Sequence, residues 1–378
     1  MKVQIHTSIN DIPASQWNAL VDDRNPFLQH EFLVAMERHD CVGATFGWLP
    51  RHIAIYDAET LVAAMPLYEK HNSYGEFVFD NAWAEAYQRA GLRYFPKLVS
   101  AIPYTPATGQ RLLAAKGHED TCWPVLLQTA QHLAESIDAS SFHCLFQTAG
   151  EHQYTSQSLM TRHDCQFHWF NSGYRHFDDF LATLTSKKRK NIRQERRRVQ
   201  QQNISFRILD GHSATTTDWA NFSVFYQRTF DNKWGMATFN QGFFEEVGRT
   251  MPDSIVLVLA DRDDECIAGA LMYRSDSTLY GRHWGCTTEI DLLHFETCYY
   301  QGIDYCIREG LDRFEPGAQG EHKVARGFVP VVTRSSHFLR DDLYRDAIEQ
   351  FCARERDAID RYIADIRNAL PYKKATCP

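Results

Sequence analysis

The folds open to this chain are limited most by an internal repeat. Residues 51–79 and 254–284 follow one plan: strand, acidic turn, strand, polar turn, strand. The first copy runs Ile53-Ala-Ile-Tyr56, a turn at Asp57 and Glu59, a strand over 61–68, a turn over 72–75, then Glu76-Phe-Val-Phe79. The second runs a strand over 255–260, a turn over 261–265, a strand over 267–273, a turn over 275–277, then a strand over 278–284. Short β-rich runs separated by turn residues predict antiparallel meanders. Two such copies about 200 residues apart predict two like domains, which 378 residues accommodate at roughly 150 per domain.

Helical patterns surround both meanders. Phe295, Cys298, Tyr299, Gly302, Ile303, Cys306 and Ile307 recur at i, i+3, i+4 spacing, with Gly310 as a natural C-cap. A second amphipathic helix is predicted over 121–137, with Pro124 in its first turn and Leu126, Ala130, Leu133 and Ile137 on one side. Trp219, Phe222, Tyr226 and Phe230 mark another, and Phe243, Phe244, Val247 and Met251 a fourth. The last, over 341–370, is expected to bury Ile348, Phe351, Ile359, Tyr362 and Ile366. Helices on mostly antiparallel sheets make an α+β fold, and the boundary falls between Asp164 and His176, giving domains 1–168 and 169–378.

Charge narrows the chemistry. The chain carries 40 Lys and Arg against 48 Asp and Glu, a net −8, yet 187–198 holds eight basic residues and one acid, Glu195. That segment is +7, which leaves −15 for everything else (−8 less +7). Bulk attraction to a polyanion is excluded; any polyanion must be met locally at this cluster. The longest apolar run, 255–260, falls far short of the roughly 20 residues of a membrane span, so no helix is expected to cross a bilayer. The opening MKVQIH turns polar at once, unlike a secretory signal, and the ten Cys lie singly without C-x-x-C spacing; both lead to the expectation of a cytoplasmic protein with reduced cysteines.

Three clusters carry candidate chemistry. In Ser186-Lys-Lys-Arg-Lys-Asn-Ile-Arg193, Ser186 reads as an N-cap, and Lys187, Lys188, Arg189, Lys190 and Arg193 would present ammonium and guanidinium donors to phosphate. Cations at a helix N-terminus oppose its dipole, a cost that a bound anion offsets; the plainer reading is a solvated helix face. In Tyr280-Gly-Arg-His-Trp-Gly285 and His294-Phe-Glu296, either His283 or Glu296 could serve as general base toward an amine, or each could have a structural role only. In Arg313-Phe-Glu-Pro-Gly-Ala-Gln-Gly-Glu-His-Lys323, Glu315, Glu321, His322 and Lys323 place acid, base and cation in one loop, while Gly317 and Gly320 free the backbone to approach a ligand. His283, Cys286, His294 and Glu296 match no metal-binding spacing, so no metal is expected.

These residues resemble the bacterial Fem-like predicted N-acyltransferases of peptidoglycan biosynthesis or recognition, a branch of the GNAT-like acyltransferase superfamily. The resemblance covers nearly the whole chain through Asn25-Pro-Phe-Leu-Gln-His-Glu-Phe-Leu33, Gly47-Trp-Leu-Pro50, Ala82-Trp-Ala-Glu-Ala-Tyr87, Pro103-Tyr-Thr-Pro-Ala-Thr-Gly109 and the first and third clusters above. It implies two tandem GNAT-like domains and an N-acyl or N-aminoacyl transfer to an amine in cell-wall precursor metabolism. Acyl-CoA or aminoacyl-tRNA would be the co-substrate, with no tightly bound cofactor; the acceptor would be a small-molecule or peptide amine, with tRNA or a UDP-linked precursor as the phosphate-bearing partner. The catalytic candidates are then His283, Glu296, Glu315, Glu321 and His322, with Arg282 and the basic helix on the phosphate side and the strands expected to splay near 281–285. One departure stands out: where acetyltransferases carry an R/Q-x-x-G-x-G/A pyrophosphate loop, this chain reads Cys286-Thr-Thr-Glu-Ile-Asp-Leu-Leu293. That favours an unusual donor, or recognition of a cell-wall precursor or peptide without catalysis. A metal-assisted hydrolase is the third reading and requires His283, Cys286 and His294 to converge.

Overall fold

The computed structural model describes residues 1–231, 235–318 and 320–373, so Gln319 of the third cluster and residues 374–378 of the second expected domain lie outside the described residues. The chain gathers into two compact units, Met1–Cys165 with Val332–Tyr362, and Gln166–Val331 with Ile363–Pro378. A single division at 168/169 describes only the first of three crossings between them.

The first unit holds β1 (Lys2–His6), β2 (Trp48–Pro50), β3 (His52–Asp57), β4 (Thr60–Met65), β5 (Tyr68–Lys70), β6 (Lys97–Ser100), β7 (Leu113–Ala114) and β8 (Ser141–Leu145). One sheet has the order β1-β3-β4-β7 and is antiparallel throughout. A second runs β2-β5-β6-β8, with β6 and β8 parallel. The first meander departs from expectation at two places. The run over 61–68 divides into β4 and β5 at Pro66, which has no N–H for a ladder. Residues 76–79 form no strand, because Phe77 takes φ +60° and the Glu76 carboxylate turns inward to accept from Lys97 Nζ at 2.8 Å.

The helix Glu119–Ser136 packs Cys122, Leu126 and Ala130 onto Ile53, Val62, Leu98 and Phe142. It starts two residues earlier than expected, so Pro124 lies in its second turn, where it removes one ladder bond. The helix Asp342–Asn368 buries Ile348, Cys352 and Ile363, while Phe351 stays 37% exposed, so the expected stripe is rotated by one residue at Phe351 and Tyr362.

The second unit takes the end of β9 (Met160–Phe170), β10 (Ile204–Leu209), β11 (Ile255–Arg262), β12 (Glu265–Arg274), β13 (Thr278–Cys286), β14 (Arg313–Glu315) and the start of β15 (Val329–Leu339). Its sheet has the order β10-β11-β12-β13-β14-β9, with β13 and β14 parallel and the other pairs antiparallel. The second meander forms as the sequence predicts. The helices Thr216–Asp231 and Gln241–Thr250 meet through Phe222 and Phe244, whose ring centroids are 5.1 Å apart. The segment 293–309 is helical, with a π-type turn over Glu296–Tyr300 and Gly310 capping its C-terminus at φ +69°. Both units are thus helices on mostly antiparallel sheets.

Candidate functional site

Strands β13 and β14 run side by side through three pairs, Thr278↔Arg313, Leu279↔Phe314 and Tyr280↔Glu315. There β14 stops before Pro316, while β13 continues to Cys286. On its other edge β13 slips in register: Leu271 faces His283 and Met272 faces Gly281, so Arg282 is the extra residue of a bulge. Beyond Tyr280 the parallel strands are no longer paired, and a cavity of about 110 Å³ lies beside β13 there. Ala270, Leu271 and Met272 of β12, residues 281–284 of β13 and Pro316 line it, together with His294, Cys298 and Tyr299 of the helical segment. A Cβ on Gly281 would come 3.2 Å from Pro316 Cα, so a side chain there would press on the chain that follows β14.

His283 faces aromatic rings, 5.1 Å from Tyr226 and 5.2 Å from Phe239 between centroids. Burial, aided by Arg282, pushes its pKa well below the usual value, so its imidazole is neutral near pH 7. Burial pushes Arg282 down to about 10. His322 reaches the same cavity through Tyr299, whose hydroxyl lies 2.9 Å from its Nε2. Lys323 is buried, donates to the Gly317 carbonyl at 2.7 Å, and is pushed by burial down to about 8. Gly317 accommodates this with φ +97°, and Gly320 takes φ +116° against the His322 ring.

The remaining candidates point elsewhere. Glu315 is buried at the end of β14, 3.1 Å from Arg313 Nε and 3.8 Å from His168 Nδ1. Glu296 is buried in an ion pair with Arg196 at 3.0 Å and accepts from Gln301 Nε2 at 2.8 Å. Glu321 is exposed at the start of the short helix Glu321–Arg326. Tyr299, Cys298 and His168 were not singled out in the sequence. The first two follow the apolar helical spacing and so read as core; His168 sits where the domain boundary was expected. Among the described residues, no group of three or more His, Cys, Asp or Glu is arranged to hold a metal ion. His294 packs on Trp284, with centroids 5.3 Å apart.

The basic segment forms the helix Ser186–Gln200, with Thr185 rather than Ser186 at the N-cap and no side-chain cap bond. Arg196 is turned inward to Glu296 and Asp304, and its guanidinium stacks 4.4 Å over Phe177. Glu195 accepts from Arg326 at 3.0 Å and from the Tyr300 hydroxyl. Arg193 pairs with Asp178 at 2.8 Å. Among the described residues Lys187, Lys188, Arg189, Lys190, Arg197 and Arg198 make no ion pair. Arg189, Lys190, Arg193, Arg197 and Arg198 line one groove of about 590 Å³. A separate cavity of about 570 Å³ covers the loop after β13; it shares Trp284 and His294 with the smaller one and exposes Glu289 and Asp291.

An α+β chain of two such units, with a parallel strand pair that parts beside a helix, defines a tandem GNAT-like protein. The chain belongs to the FemAB-like family, described as peptidoglycan biosynthesis/recognition, whose model matches residues 8–374. Among solved structures it is similar to FemX, at 11% identity and TM-score 0.53 over 92% of this chain and 100% of that one. It is also similar to the C-terminal domain of a putative lysylphosphatidylglycerol synthetase from Agrobacterium fabrum, at 8% identity and TM-score 0.54 over 93% and 98%. These likenesses show the fold. No curated protein matches this chain.

Proposed function

We propose that the chain transfers an aminoacyl or acyl group to an amine at the parting of β13 and β14. The observation that carries this is the cavity at the end of their pairing, lined by the β-bulge and the neutral imidazole of His283, with Lys323 buried in the loop that follows β14 and held on the Gly317 carbonyl. The acceptor nitrogen attacks the acyl carbon and the new C–N bond forms. The carbonyl oxygen becomes an oxyanion, stabilised by backbone N–H groups freed at the bulge and by the positive charge of Lys323. The amine proton leaves through His283 or the Tyr299–His322 pair, and the C–O or C–S bond to the donor breaks as the leaving group takes up a proton.

The donor favoured is aminoacyl-tRNA. Glu289 and Asp291 in the loop after β13 repel a pyrophosphate there, whereas Lys190, Arg193 and Arg197 of the basic helix form a stripe at one-turn spacing that suits a polynucleotide backbone. The acceptor fitting the family is the amine of a cell-wall precursor or peptide. A second reading, recognition without catalysis, is favoured by Glu296 and Glu321 facing away from the cavity. The test is a transfer assay offering labelled aminoacyl-tRNA and acyl-CoA side by side to an amine library. Amide formation from aminoacyl-tRNA is expected; binding of acceptor with no turnover from either donor would select the second reading.

A further inference from the structure

The first unit contains a cavity of about 330 Å³ that shares no residue with the site above, between β9, β15 and the helix Asp342–Asn368. That volume is in the range of small-molecule sites. Its charges divide into two sets. Arg162 and Glu355 satisfy each other, with Nε and Nη2 donating to the two carboxylate oxygens at 2.6 and 2.7 Å. Arg334 and Asp164 also line the cavity, and neither makes an ion pair among the described residues. Among the described residues Arg334 donates only to the Val332 carbonyl, at 3.3 Å, and Asp164 accepts only its neighbour's N–H, from Cys165 at 2.7 Å.

The rest of the wall is amphipathic. His163 Nδ1 is buried with no hydrogen-bond partner among the described residues. Burial holds the His163 ring neutral near pH 7 by lowering its pKa. At the rim Phe79 is 60% exposed and Phe351 37%, two rings whose apolar faces water covers in the free protein. Opposite charges that face one cavity without pairing, beside uncovered aromatic surface, are the complement of a zwitterion with an apolar side chain.

We propose that this cavity binds an α-amino acid as its zwitterion, free or as a short unblocked peptide, through its apolar side chain. The carboxylate takes the forked donors of Arg334, the ammonium group takes Asp164, and His163 Nδ1 accepts a further ammonium hydrogen. Phe79 and Phe351 cover the side chain. The proposal does not depend on acyl transfer, and binding is read without any donor present.

The experiment is calorimetric titration of the full chain with L-phenylalanine, L-lysine, L-phenylalanyl-L-phenylalanine, N-acetyl-L-phenylalanine and L-phenylalanine amide. Phenylalanine or its dipeptide should bind, and the stronger of the two identifies free amino acid or peptide as the source. Blocking either end should weaken binding roughly tenfold or more. Arg334→Gln should abolish the discrimination against the amide and Asp164→Asn that against the N-acetyl compound. Phe79→Ala, at a ring already exposed, should keep the thermal midpoint and weaken phenylalanine several-fold. No heat from any unblocked compound at millimolar concentration, equal affinity for the blocked ones, or lysine binding as well as phenylalanine would overturn the proposal. So would unchanged affinity in folded Arg334→Gln.

Discussion

Each unit contains a parallel strand pair, and the two pairs end differently. In the first unit β6 and β8 pair through Leu98↔Phe142, Val99↔His143 and Ser100↔Cys144. The chain then folds back on itself: Gly109 bridges Gln147, and the buried Arg111 guanidinium donates to the carbonyls of Leu145 and Gln110 at 2.8 Å and Ala107 at 3.0 Å. Glu151 accepts the N–H groups of Arg111 and Leu112, each at 2.6 Å. In the second unit the pairing of β13 and β14 ends at Tyr280↔Glu315, and Arg282, His283 and Tyr299 face a cavity beside it. Separation of the strands follows from the shared topology. Whether the separation becomes a site depends on what the following loop places there, a plug of saturated hydrogen bonds or a set of titratable groups.

The largest effect should come from the plug. Arg111→Met leaves three carbonyls and Glu151 without their cation, and should cost about 3–5 kcal/mol in urea unfolding while transfer per folded molecule is unchanged. Next, Lys323→Met, nearly isosteric at a buried position, should slow transfer roughly 10²- to 10³-fold with little change in fold. Because burial lowers the Lys323 pKa from 10.5 to about 8, its charge and the wild-type rate should fall as pH rises through about 8, and this limb should vanish in the variant. Between those two values the unfolded chain binds the extra proton, so this group makes wild-type stability rise with pH, and Lys323→Met removes that slope.

Gly281→Val brings side-chain atoms against Pro316 and should slow transfer about 10²-fold with a smaller loss of stability. The smallest effect belongs to the basic helix. Arg193 is already paired with Asp178, so Lys190→Glu with Arg197→Glu is the sharper variant. It should weaken donor binding about tenfold at low salt, with the difference fading at high salt.

What was legible in the sequence was local. The second meander and the Gly310 cap are written in neighbouring residues, and so are Arg282, His283, Pro316, Gly317 and Lys323. What was not legible depends on partners far along the chain. Glu76 leaves its expected strand for Lys97, 21 residues away, and Glu296 is neutralised by Arg196, 100 residues away. Tyr299 matched the helical apolar spacing so well that its hydroxyl, bonded to His322, was hidden among core positions. The rotation that buries Cys352 in place of Phe351 is a one-residue phase change, which spacing alone does not resolve in a helix with polar residues on most sides.

Reaction is expected where β13 and β14 part and not where β6 and β8 do. This is tested most directly by photo-crosslinking with an aminoacyl-tRNA carrying a diazirine on its acyl group, followed by peptide mapping. Adducts on 281–284, Tyr299 and 316–323 that an excess of unlabelled donor removes are the predicted result. Adducts on 101–111, or labelling that competitor does not displace, would contradict it.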